Sequence, residues 1–410
     1  MKVCAIVTEY NPFHNGHKYQ IEQIKKQTKC DYVICIMSGN FVQRGEPAIL
    51  DKWARAKMAL QNGIDLVLEL PTLYATSSSE YFAYGAVSIL DKLNCIDYLA
   101  FGAKCDDIIM LKKIACCLAD EPDEFKKSLQ AELNKGVSYP AARSKCLVKQ
   151  FKKQYEPKLI EEVLEDPNNI LAIEYLKALE TINSSIIPVL IKRVGTDYNS
   201  LEINDGFASS TAIRKLLKAN DIKKLEEIMP TDALKVLEGE LDIGKNPITI
   251  ESFEKEILYT LRKTDVDELA KIADVNEGLE FAIKNALLNS CDIESLIENV
   301  KSKRYTRTRI QRILIHILLN VTEDLLTKYK LEPQYARVLG FNSDAKKLLS
   351  IISQKSKLPV VTSLNSSLKT ATNEQKEMIA IDIEATNTYT LGYHIPSLRK
   401  YNLDYTTKIN

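Results

Sequence analysis

The stretch VCAIVTEYNPFHNGHKYQIEQIKKQ, residues Val3–Gln27, decides the fold. It begins with the apolar, β-branched run Val3–Thr8, passes through a turn that contains Pro12 and Gly16, and ends in a helical pattern over Lys18–Gln27. A buried strand that leads through a short turn into a helix is the first unit of an open α/β sheet. Ligands of such sheets bind at the carboxyl ends of the strands. The sequence therefore predicts an α/β domain with a binding site at this turn.

The alternation of strand and helix continues through the first half of the chain. Apolar runs predict four more strands, at Tyr32–Met37, Ile64–Leu70, Ile96–Phe101 and Ile186–Ile191. Helical patterns lie between and after them, at Pro47–Gln61, Ser78–Leu93, Asp107–Leu118 and Ser210–Lys218. This order predicts βαβ units and a Rossmann-like parallel sheet that is covered by helices on both faces. Residues 121–166 interrupt it with a charged, helical insertion.

Beyond residue 220 the pattern changes to amphipathic helices. These are predicted at Glu251–Arg262, Asp265–Ile272, Glu280–Leu287, Arg309–Leu318, Ala345–Ser353 and Glu374–Ala385. A single strand-like run occurs among them, at Leu358–Leu364. We therefore expect an α/β domain over residues 1–220, with the insertion at about 121–166, and a mainly α-helical domain over residues 221–410.

Composition limits the class of protein. The 410 residues are 45% hydrophobic and 27% charged, which excludes a wholly disordered chain. The apolar runs are too short for a membrane helix and no signal-peptide pattern opens the chain, so we expect a cytoplasmic protein without a membrane partner. Nine cysteines without a CxxC motif predict free thiols. The balance of 55 basic and 55 acidic residues gives no indication of a nucleic-acid partner, and the oligomeric state is left open.

The turn after the first strand contains two histidines, His14 and His17, around Asn15 and Gly16. A helix N-terminus attracts phosphate, glycine lets the backbone approach a ligand, and imidazole N–H groups can donate to phosphate oxygens as charge develops. Two alternatives are an ion held by the histidine pair, for which no third ligand is evident nearby, and an inert helix start. Phosphate binding is the favoured interpretation, and no metal site is predicted.

A second segment, Ser209–Lys215, places hydroxyl groups at a helix start and a basic residue in the first turn. Alone it is more typical of a plain helix cap with a solvated basic face. Together, however, the two segments resemble the HIGH-type nucleotidyltransferase superfamily. The positions that match its pattern are His14, Gly16, His17, Thr211 and Arg214. This resemblance implies attack of a substrate on the α-phosphate of ATP, with release of pyrophosphate.

Longer strings resemble one family within this superfamily, the bacterial tRNA(Met) cytidine acetate ligases. The strings are EYNPFHNGHKYQI (9–21), MSGNFVQRGEPAILDKWARAKMAL (37–60), DPNNILAIEYLKAL (166–179), IIPVLIKRVG (186–195) and KSKRYTRTRIQRILIHILL (301–319). The resemblance implies that the chain activates acetate with ATP to acetyladenylate. The acetyl group would then pass to N4 of the wobble cytidine of elongator tRNA(Met), which forms N4-acetylcytidine.

The resemblance also implies a set of ATP-binding residues, with His14 and His17 in the catalytic role and Mg²⁺ accompanying the nucleotide. The set comprises Val7, Thr8, Glu9, Tyr10, Asn11, Pro12, Phe13, His14, Asn15, Gly16, His17, Lys18, Tyr19, Gln20, Gly102, Asn168, Arg193, Val194, Thr211 and Arg214. Ala103 and Lys104 depart from the family's pattern, which leaves the role of Gly102 intact. Asn168 could equally be a plain helix cap.

The polar loop after the second strand is the predicted acetate pocket. Its candidate donors are Ser38, Gly39, Asn40 and Gln43, with Arg44 able to neutralise the carboxylate or to contact RNA. The same loop could equally serve the fold. Because acetate itself attacks phosphorus, no Ser/His/Asp triad or activated cysteine is required.

The predicted RNA-binding surface is a run of cations in the C-terminal half, where no acidic residue occurs between Glu298 and Glu323. It comprises Lys301, Lys303, Arg304, Tyr305, Arg307, Arg309 and Arg312. Such a density of cations suits RNA phosphates and Tyr305 could stack on a base, whereas a solvated helix face is the alternative. His316, on the apolar face of the following helix, is predicted to pack in the core.

Two other functions remain possible on the sequence alone. One is an HxGH enzyme that adenylylates a phosphorylated small metabolite and binds no RNA. The other is a non-catalytic RNA-binding protein that retains a nucleotide pocket, which the intact His14, Gly16 and His17 set disfavours. The long C-terminal region with its cationic run favours the tRNA ligase over both.

Overall fold

The structure is a computed structural model that describes residues 1–193, 206–219, 221–302 and 304–407. A predicted nucleotide contact at Val194 and a predicted RNA contact at Lys303 lie outside the described residues. Within them nine strands form: β1 Val3–Thr8, β2 Tyr32–Ser38, β3 Phe41–Val42, β4 Glu46–Pro47, β5 Leu66–Leu70, β6 Tyr98–Ala103, β7 Ile187–Lys192, β8 Ala336–Phe341 and β9 Val360–Val361.

Seven strands form one sheet in the order β7-β6-β1-β2-β5-β8-β9. The five strands β7, β6, β1, β2 and β5 are parallel, β8 pairs antiparallel with β5, and β9 pairs parallel with β8. The predicted α/β fold with a parallel sheet is confirmed. The five strands predicted for the first half all form, with bounds that shift by up to two residues.

Alternating side chains of the central strands enter two different cores, which explains why these strands are apolar throughout. On β1, Val3 and Ala5 belong to one hydrophobic cluster, whereas Cys4 and Ile6 belong to the other. A parallel sheet that is covered on both faces exposes neither side to water. The β-branched runs of the sequence therefore mark the strands that lie deepest in the molecule.

In the described residues of the first part of the chain, ten α-helices form. They are α1 Asn15–Thr28, α2 Lys52–Gln61, α3 Thr72–Ala75, α4 Ser79–Lys92, α5 Ile108–Ala119, α6 Asp123–Leu133, α7 Tyr139–Phe151, α8 Pro157–Glu165, α9 Pro167–Thr181 and α10 Ser210–Lys218. The charged insertion forms α6, α7 and α8, as predicted. The prediction that a helix begins at Pro47 is wrong, because Glu46 and Pro47 pair with the preceding strand and Asp51 caps α2 through Trp53 N and Ala54 N.

The second part of the chain is mainly helical, as predicted. Its α-helices within the described residues are α11 Leu225–Ile228, α12 Thr231–Asp242, α13 Glu254–Lys263, α14 Val266–Leu269, α15 Leu279–Ala286, α16 Ile293–Val300, α17 Arg307–Leu319, α18 Glu323–Tyr329, α19 Lys346–Lys355, α20 Leu364–Thr370, α21 Asn373–Leu391 and α22 Leu403–Thr406. The sequence did not predict β8, through which this part of the chain extends the central sheet. The division at residue 220 stays a prediction.

A third hydrophobic cluster joins the helical part to the β3–β4 hairpin. It contains buried residues of α13, α15, α16, α17 and α21 together with Phe41 of β3. His316 is fully buried here, and its ring nitrogens lie 3.1 Å from the Ala273 carbonyl oxygen and 3.0 Å from that of Thr76. The prediction that His316 packs in the core is confirmed.

All nine cysteine thiols are free, and no helix in the described ranges combines the length and the apolarity that a bilayer crossing requires.

A buried network of charges links the sheet to the end of the chain. Lys52 Nζ lies 2.8 Å from Glu69 Oε1 and 2.6 Å from Asp404 Oδ1. Arg337 NH1 lies 3.1 Å from Glu69 Oε2, and its NH2 lies 2.6 Å from Asp404 Oδ1. The two cations and two carboxylates come from α2, β5, β8 and α22, and all four side chains are almost fully buried. Each charge therefore depends on its partners for compensation.

Arg337→Ala should destabilise the fold strongly, because it leaves the buried Glu69 and Asp404 carboxylates short of a partner. Loss of one member of a buried ion pair costs about 3–5 kcal/mol of unfolding free energy. Thermal and urea unfolding measure the change. The matched control is Lys328→Ala, which breaks an exposed pair with Glu377 and should shift the midpoint much less. Equal shifts for the two variants would contradict this reading of the network.

Candidate functional site

The turn between β1 and α1 is closed by hydrogen bonds of the two histidines. His14 is the residue that caps α1, and its Nδ1 accepts a hydrogen bond from Gly16 N at 3.1 Å. His17 Nδ1 accepts one from His14 N at 3.2 Å. The two imidazole rings stack with centroids 3.7 Å apart. Each side chain thus occupies the position that a hydroxyl or carboxylate usually takes in a capping box.

This arrangement fixes where the imidazole protons lie. Because each Nδ1 accepts a backbone N–H, the proton of each neutral ring is on Nε2. Burial, with a contribution from Arg193, lowers the pKa of His14 to about 3. Burial, followed by the charges of His14 and Arg193, lowers the pKa of His17 well below its usual range. Both residues are therefore neutral Nε2–H donors at pH 7, and both line the cavity described next.

A cavity of about 370 Å³ opens at the carboxyl ends of β1, β6 and β7. Twelve residues of the predicted ATP-binding set line it: Val7, Thr8, Glu9, Tyr10, Asn11, His14, His17, Gln20, Gly102, Asn168, Arg193 and Arg214. Gly16 and Tyr19 line a small adjoining pocket. Pro12, Phe13, Asn15, Lys18 and Thr211 line neither one. The structure thus brings most of the predicted nucleotide residues to one place.

Three of the predicted residues that do not line the cavity make contacts around it. Phe13 is fully buried in the core below the turn. Asn15 Nδ2 donates to the backbone oxygens of Gly206 and Glu227, both at 3.0 Å, which ties α1 to the segment before α10 and to α11. Thr211 Oγ1 accepts a hydrogen bond from Arg214 NH2 at 3.4 Å.

Gly102 and Arg193 face each other at the ends of β6 and β7. A Cβ on Gly102 would lie 3.2 Å from Arg193 Cγ and 3.7 Å from Gln20 Nε2, so a larger residue would crowd both side chains. Asn168 lies in the first turn of α9, which is capped by Asp166 rather than by Asn168. Its side chain is therefore not consumed by capping and lines the cavity.

Twelve further lining residues were not predicted as ATP contacts. Seven of these belong to helices α4, α9 and α10: Ser79, Phe82, Pro167, Ile170, Leu171, Tyr175 and Ser210. The others are Gln43, Arg44, Phe101, Ser209 and Thr308. One wall of the cavity is apolar and suits a planar base, whereas another part contains arginine side chains. The apolar wall is formed by Phe82, Phe101, Ile170, Leu171 and Tyr175. Helical periodicity marks these side chains only as buried, so the sequence held no signal that distinguishes them from ordinary core.

Arg214 connects the second segment to the turn. Its NH1 donates to Asn11 O at 3.1 Å, and its NH2 lies 3.6 Å from Glu46 Oε2. Ser209, not Thr211, caps α10 by accepting from Ala212 N at 3.1 Å. The basic residue of this segment is therefore directed at the β1 turn rather than at solvent.

The loops after β1 and β2 are held together by Arg55 of α2. This fully buried side chain donates from NH1 to Glu9 O at 2.6 Å and to Ser38 O at 3.1 Å, from NH2 to Gly39 O, and from Nε to Leu50 O at 3.0 Å. One guanidinium thus satisfies four backbone carbonyls from three loops. Sequence reasoning gave Arg55 no role.

The predicted acetate donors separate into two groups. Gln43 lines the cavity, and its backbone N–H donates to Glu9 Oε1 at 2.9 Å. Ser38, Gly39 and Asn40 do not line it. Asn40 is buried, with its Oδ1 accepting from Lys52 N at 2.8 Å and its Nδ2 donating to Thr386 Oγ1 at 3.2 Å. The amide of Asn40 therefore serves the fold, and a role for Ser38 or Gly39 toward acetate stays a prediction.

The predicted RNA-binding cations form ion pairs with acids that lie outside the cationic run itself. Lys301 and Arg307 pair with Glu298, Arg307 also with Glu294, Arg304 and Arg309 with Glu277, and Arg312 with Asp274. Tyr305 lies between Arg304 and Arg309, with its ring 5.9 and 5.8 Å from their guanidinium carbons. The absence of acids from the local sequence therefore overstated the positive charge of this surface. Arg312 is buried, whereas the other described members reach solvent.

This surface adjoins the cavity through the β3–β4 hairpin. A Cβ on Gly45, whose φ is +73°, would lie 2.2 Å from Arg312 N, so the hairpin backbone rests directly on α17. Gln311 Nε2 donates to Glu46 Oε1 at 3.3 Å. The hairpin also supplies Arg44 to the cavity, and Thr308 of α17 lines the cavity as well. The cationic helix and the cavity thus share a wall.

Comparison with known proteins identifies close relatives. A family model described as HIGH nucleotidyl transferase matches residues 1–404. The chain is 43% identical to the tRNA(Met) cytidine acetate ligase of Acetivibrio thermocellus, over 100% of this chain and 99% of that protein. It is 46% identical to the tRNA(Met) cytidine acetate ligase of Caldanaerobacter subterraneus, over 96% of each.

Two solved structures have the same fold along the full chain. The apo crystal structure of Thermotoga maritima TmcAL superposes with a TM-score of 0.96 at 36% identity, over 100% of this chain and 99% of that one. The crystal structure of the same protein bound with alpha-thio ATP gives a TM-score of 0.94 at 36% identity, over 99% and 98% of the two chains.

Both histidines should stay neutral, with the proton on Nε2, down to about pH 5, because their pKa values are lowered and the neutral form persists until the pH approaches them. Imidazole ¹⁵N chemical shifts of histidine-labelled protein measure the tautomer, with His14→Gln and His17→Gln used for assignment. A ring that gains its second proton near pH 6, or that carries its proton on Nδ1, would contradict the capping geometry.

Proposed function

Because this chain belongs to the tRNA(Met) cytidine acetate ligase family of HIGH nucleotidyltransferases, we propose that it activates acetate with ATP and acetylates N4 of the wobble cytidine of elongator tRNA(Met). One observation carries the proposal. The cavity contains two neutral Nε2–H donors, an arginine at a strand end and an apolar wall, and it adjoins a cationic helix. These are the parts that an adenylate-forming enzyme with an RNA acceptor requires.

The first half-reaction joins acetate to the α-phosphate of ATP. A carboxylate oxygen of acetate attacks phosphorus, and the bond to the pyrophosphate oxygen breaks. Neutral donors at His14 and His17 and the charge of Arg193 would stabilise the negative charge that develops on the phosphate oxygens. Gly102 leaves room for the nucleotide beside Arg193. No protein nucleophile is needed, so alignment and charge stabilisation supply the catalysis.

We propose that Mg²⁺ enters with the ATP phosphates. In the part of the chain that the structure describes, no group of three or more His, Cys, Asp or Glu side chains is placed to hold an ion. The cavity instead offers phosphate donors, which fits an ion whose remaining ligands are phosphate oxygens and water. Its chemistry would be to neutralise the charge of the leaving pyrophosphate.

The second half-reaction requires tRNA beside the cavity. We propose that Lys301, Arg304, Arg307 and Arg309, with Tyr305, contact the RNA backbone. Their partner carboxylates are mostly exposed, and exposed ion pairs contribute little, so phosphate groups can compete for these cations. An anticodon-loop base is already unstacked enough to be turned into a pocket. We also propose a cytoplasmic location, because a tRNA-modifying enzyme needs access to tRNA.

Incubation of the protein with ATP, radiolabelled acetate and elongator tRNA(Met) tests the proposal. We expect ATP-dependent label in the RNA, recovered as N4-acetylcytidine after nuclease digestion. His17→Ala is the negative control, because it removes a donor to the reacting phosphate and should abolish acetate-dependent pyrophosphate release. Pyrophosphate release by the wild type without labelled RNA would indicate a different acceptor, such as a small metabolite.

Arg307→Ala/Arg309→Ala should weaken tRNA binding and spare adenylate formation, because these side chains lie outside the nucleotide cavity. Loss of two phosphate contacts should reduce the slope of log affinity against log salt by about 1.5. Filter binding across a salt series measures this slope, and acetate-dependent pyrophosphate release measures the first half-reaction.

The matched control is Lys224→Ala/Lys235→Ala, which removes two exposed, ion-paired lysines elsewhere and should change neither quantity. Equal losses of adenylate formation and tRNA binding in the arginine variant would contradict a division of labour between cavity and cationic helix.

A further inference from the structure

Acetyl transfer releases a proton for which the cavity must supply an acceptor. In the proposed second half-reaction, N4 of the cytidine attacks the acetyl carbonyl. A carbon–nitrogen bond forms, and the carbon–oxygen bond to the phosphate breaks with its electron pair leaving on AMP. The amine loses one proton as it becomes an amide. A positioned base that removes this proton typically accelerates such a step by about 10²–10⁴-fold.

Few groups that line the cavity can accept a proton. His14 and His17 are excluded, because Nδ1 of each already accepts a backbone N–H and Nε2 carries the proton. Burial raises the pKa of Tyr10 well above its usual range, so this phenol stays protonated. Lysine and arginine side chains are cations, and amide and hydroxyl oxygens are weak bases at pH 7. Among the described residues that line the cavity, Glu9 is the single carboxylate.

We infer that the Glu9 carboxylate accepts the N4 proton of the cytidine during acetyl transfer, an assignment that rests on the proposed function. The step is balanced by AMP as the leaving group and by the protonated Glu9 side chain, which returns its proton to solvent after product release.

Glu9 lies on the side of the cavity from which the RNA would approach. Its Oε1 accepts a hydrogen bond from Gln43 N in the hairpin that rests on α17, and its backbone oxygen is held by Arg55. Arg44 of the same hairpin and Thr308 of α17 line the cavity beside it. Glu9 is therefore held through its carboxylate by the hairpin and through its backbone by α2, at the junction between the nucleotide turn and the cationic helix, where amine and acetyl carbonyl would meet.

The surroundings of Glu9 suit a base. Burial raises the pKa of its carboxyl group, while the Gln43 N–H and the guanidinium groups of Arg214, Arg44 and Arg55 act in the opposite direction. The two neighbouring histidines are neutral and add no charge. A carboxylate whose pKa lies above its ordinary range is a stronger proton acceptor than one in water.

Glu9→Gln is the sharpest test, because glutamine keeps an oxygen for the Gln43 N–H and loses the capacity to accept a proton. The measurement supplies synthetic acetyladenylate and elongator tRNA(Met) without ATP and follows a single turnover with enzyme in excess, from pH 5 to 9. For the wild type we expect the transfer rate to rise with pH through the raised pKa of Glu9 and then to level. For Glu9→Gln we expect a loss of at least about 100-fold at neutral pH and no such rise.

Two further variants keep the test decisive. Glu9→Asp retains a carboxylate on a shorter side chain and should restore part of the rate together with the pH-dependent rise. Glu46→Gln is the matched control, because Glu46 is an acid of the neighbouring β3–β4 hairpin and does not line the cavity. This variant should retain the wild-type pH profile. The assignment is overturned if Glu9→Gln keeps the pH-dependent rise. It is also overturned if this variant reaches the wild-type transfer rate and only requires a higher concentration of tRNA to do so.

The same experiment separates this assignment from the function on which it rests. A wild-type protein that transfers no acetyl group from acetyladenylate to the tRNA contradicts the proposed function. A wild type that transfers it, together with a Glu9→Gln variant that does so equally fast, contradicts only the role of Glu9.

Discussion

A single buried guanidinium sets the geometry of the active-site loops. Arg55 is shielded from solvent and donates to the backbone oxygens of Glu9, Ser38, Gly39 and Leu50. The Glu9, Ser38 and Gly39 carbonyls lie where β1 and β2 end, at the edge where parallel sheets bind ligands, and a buried carbonyl without a donor is costly. The position of the nucleotide turn relative to the β3–β4 hairpin therefore follows from one side chain of α2, and that position determines which groups share the cavity.

The cavity divides its chemistry between two neutral histidines and one carboxylate. The histidines use Nδ1 to close the turn, which leaves the Nε2–H of each ring available for the proposed contact with phosphate. Glu9, in the same loop, is held by the hairpin that also contacts α17. The proposed nucleotide donors, the proposed proton acceptor and the candidate RNA surface are thus next to each other.

The sequence predicted the parallel strands and the histidine turn because buried apolar runs and a short glycine-containing turn are local signals. It could not predict β8, because Arg337 interrupts the apolar run of this strand. The arginine is buried because its partners, Glu69 and Asp404, lie on other elements. The contacts of the loop residue Asn40 could not be predicted for the same reason, since its partners are Lys52 N and Thr386. Likewise the acids that pair with the cationic run come from other segments, such as Glu277 in the turn before α15.

The central claim is that an adenylate lies with its phosphate at the histidines and its acetyl group toward Glu9. A crystal structure with an acetyl sulfamoyl adenosine, a non-hydrolysable analogue of acetyladenylate, tests it most directly. We predict that the sulfamoyl oxygens accept hydrogen bonds from Nε2 of His14 or His17, and that the acetyl carbonyl lies beside the Glu9 carboxylate. An acetyl group directed toward Gly102 and Arg193, away from Glu9, would contradict the account.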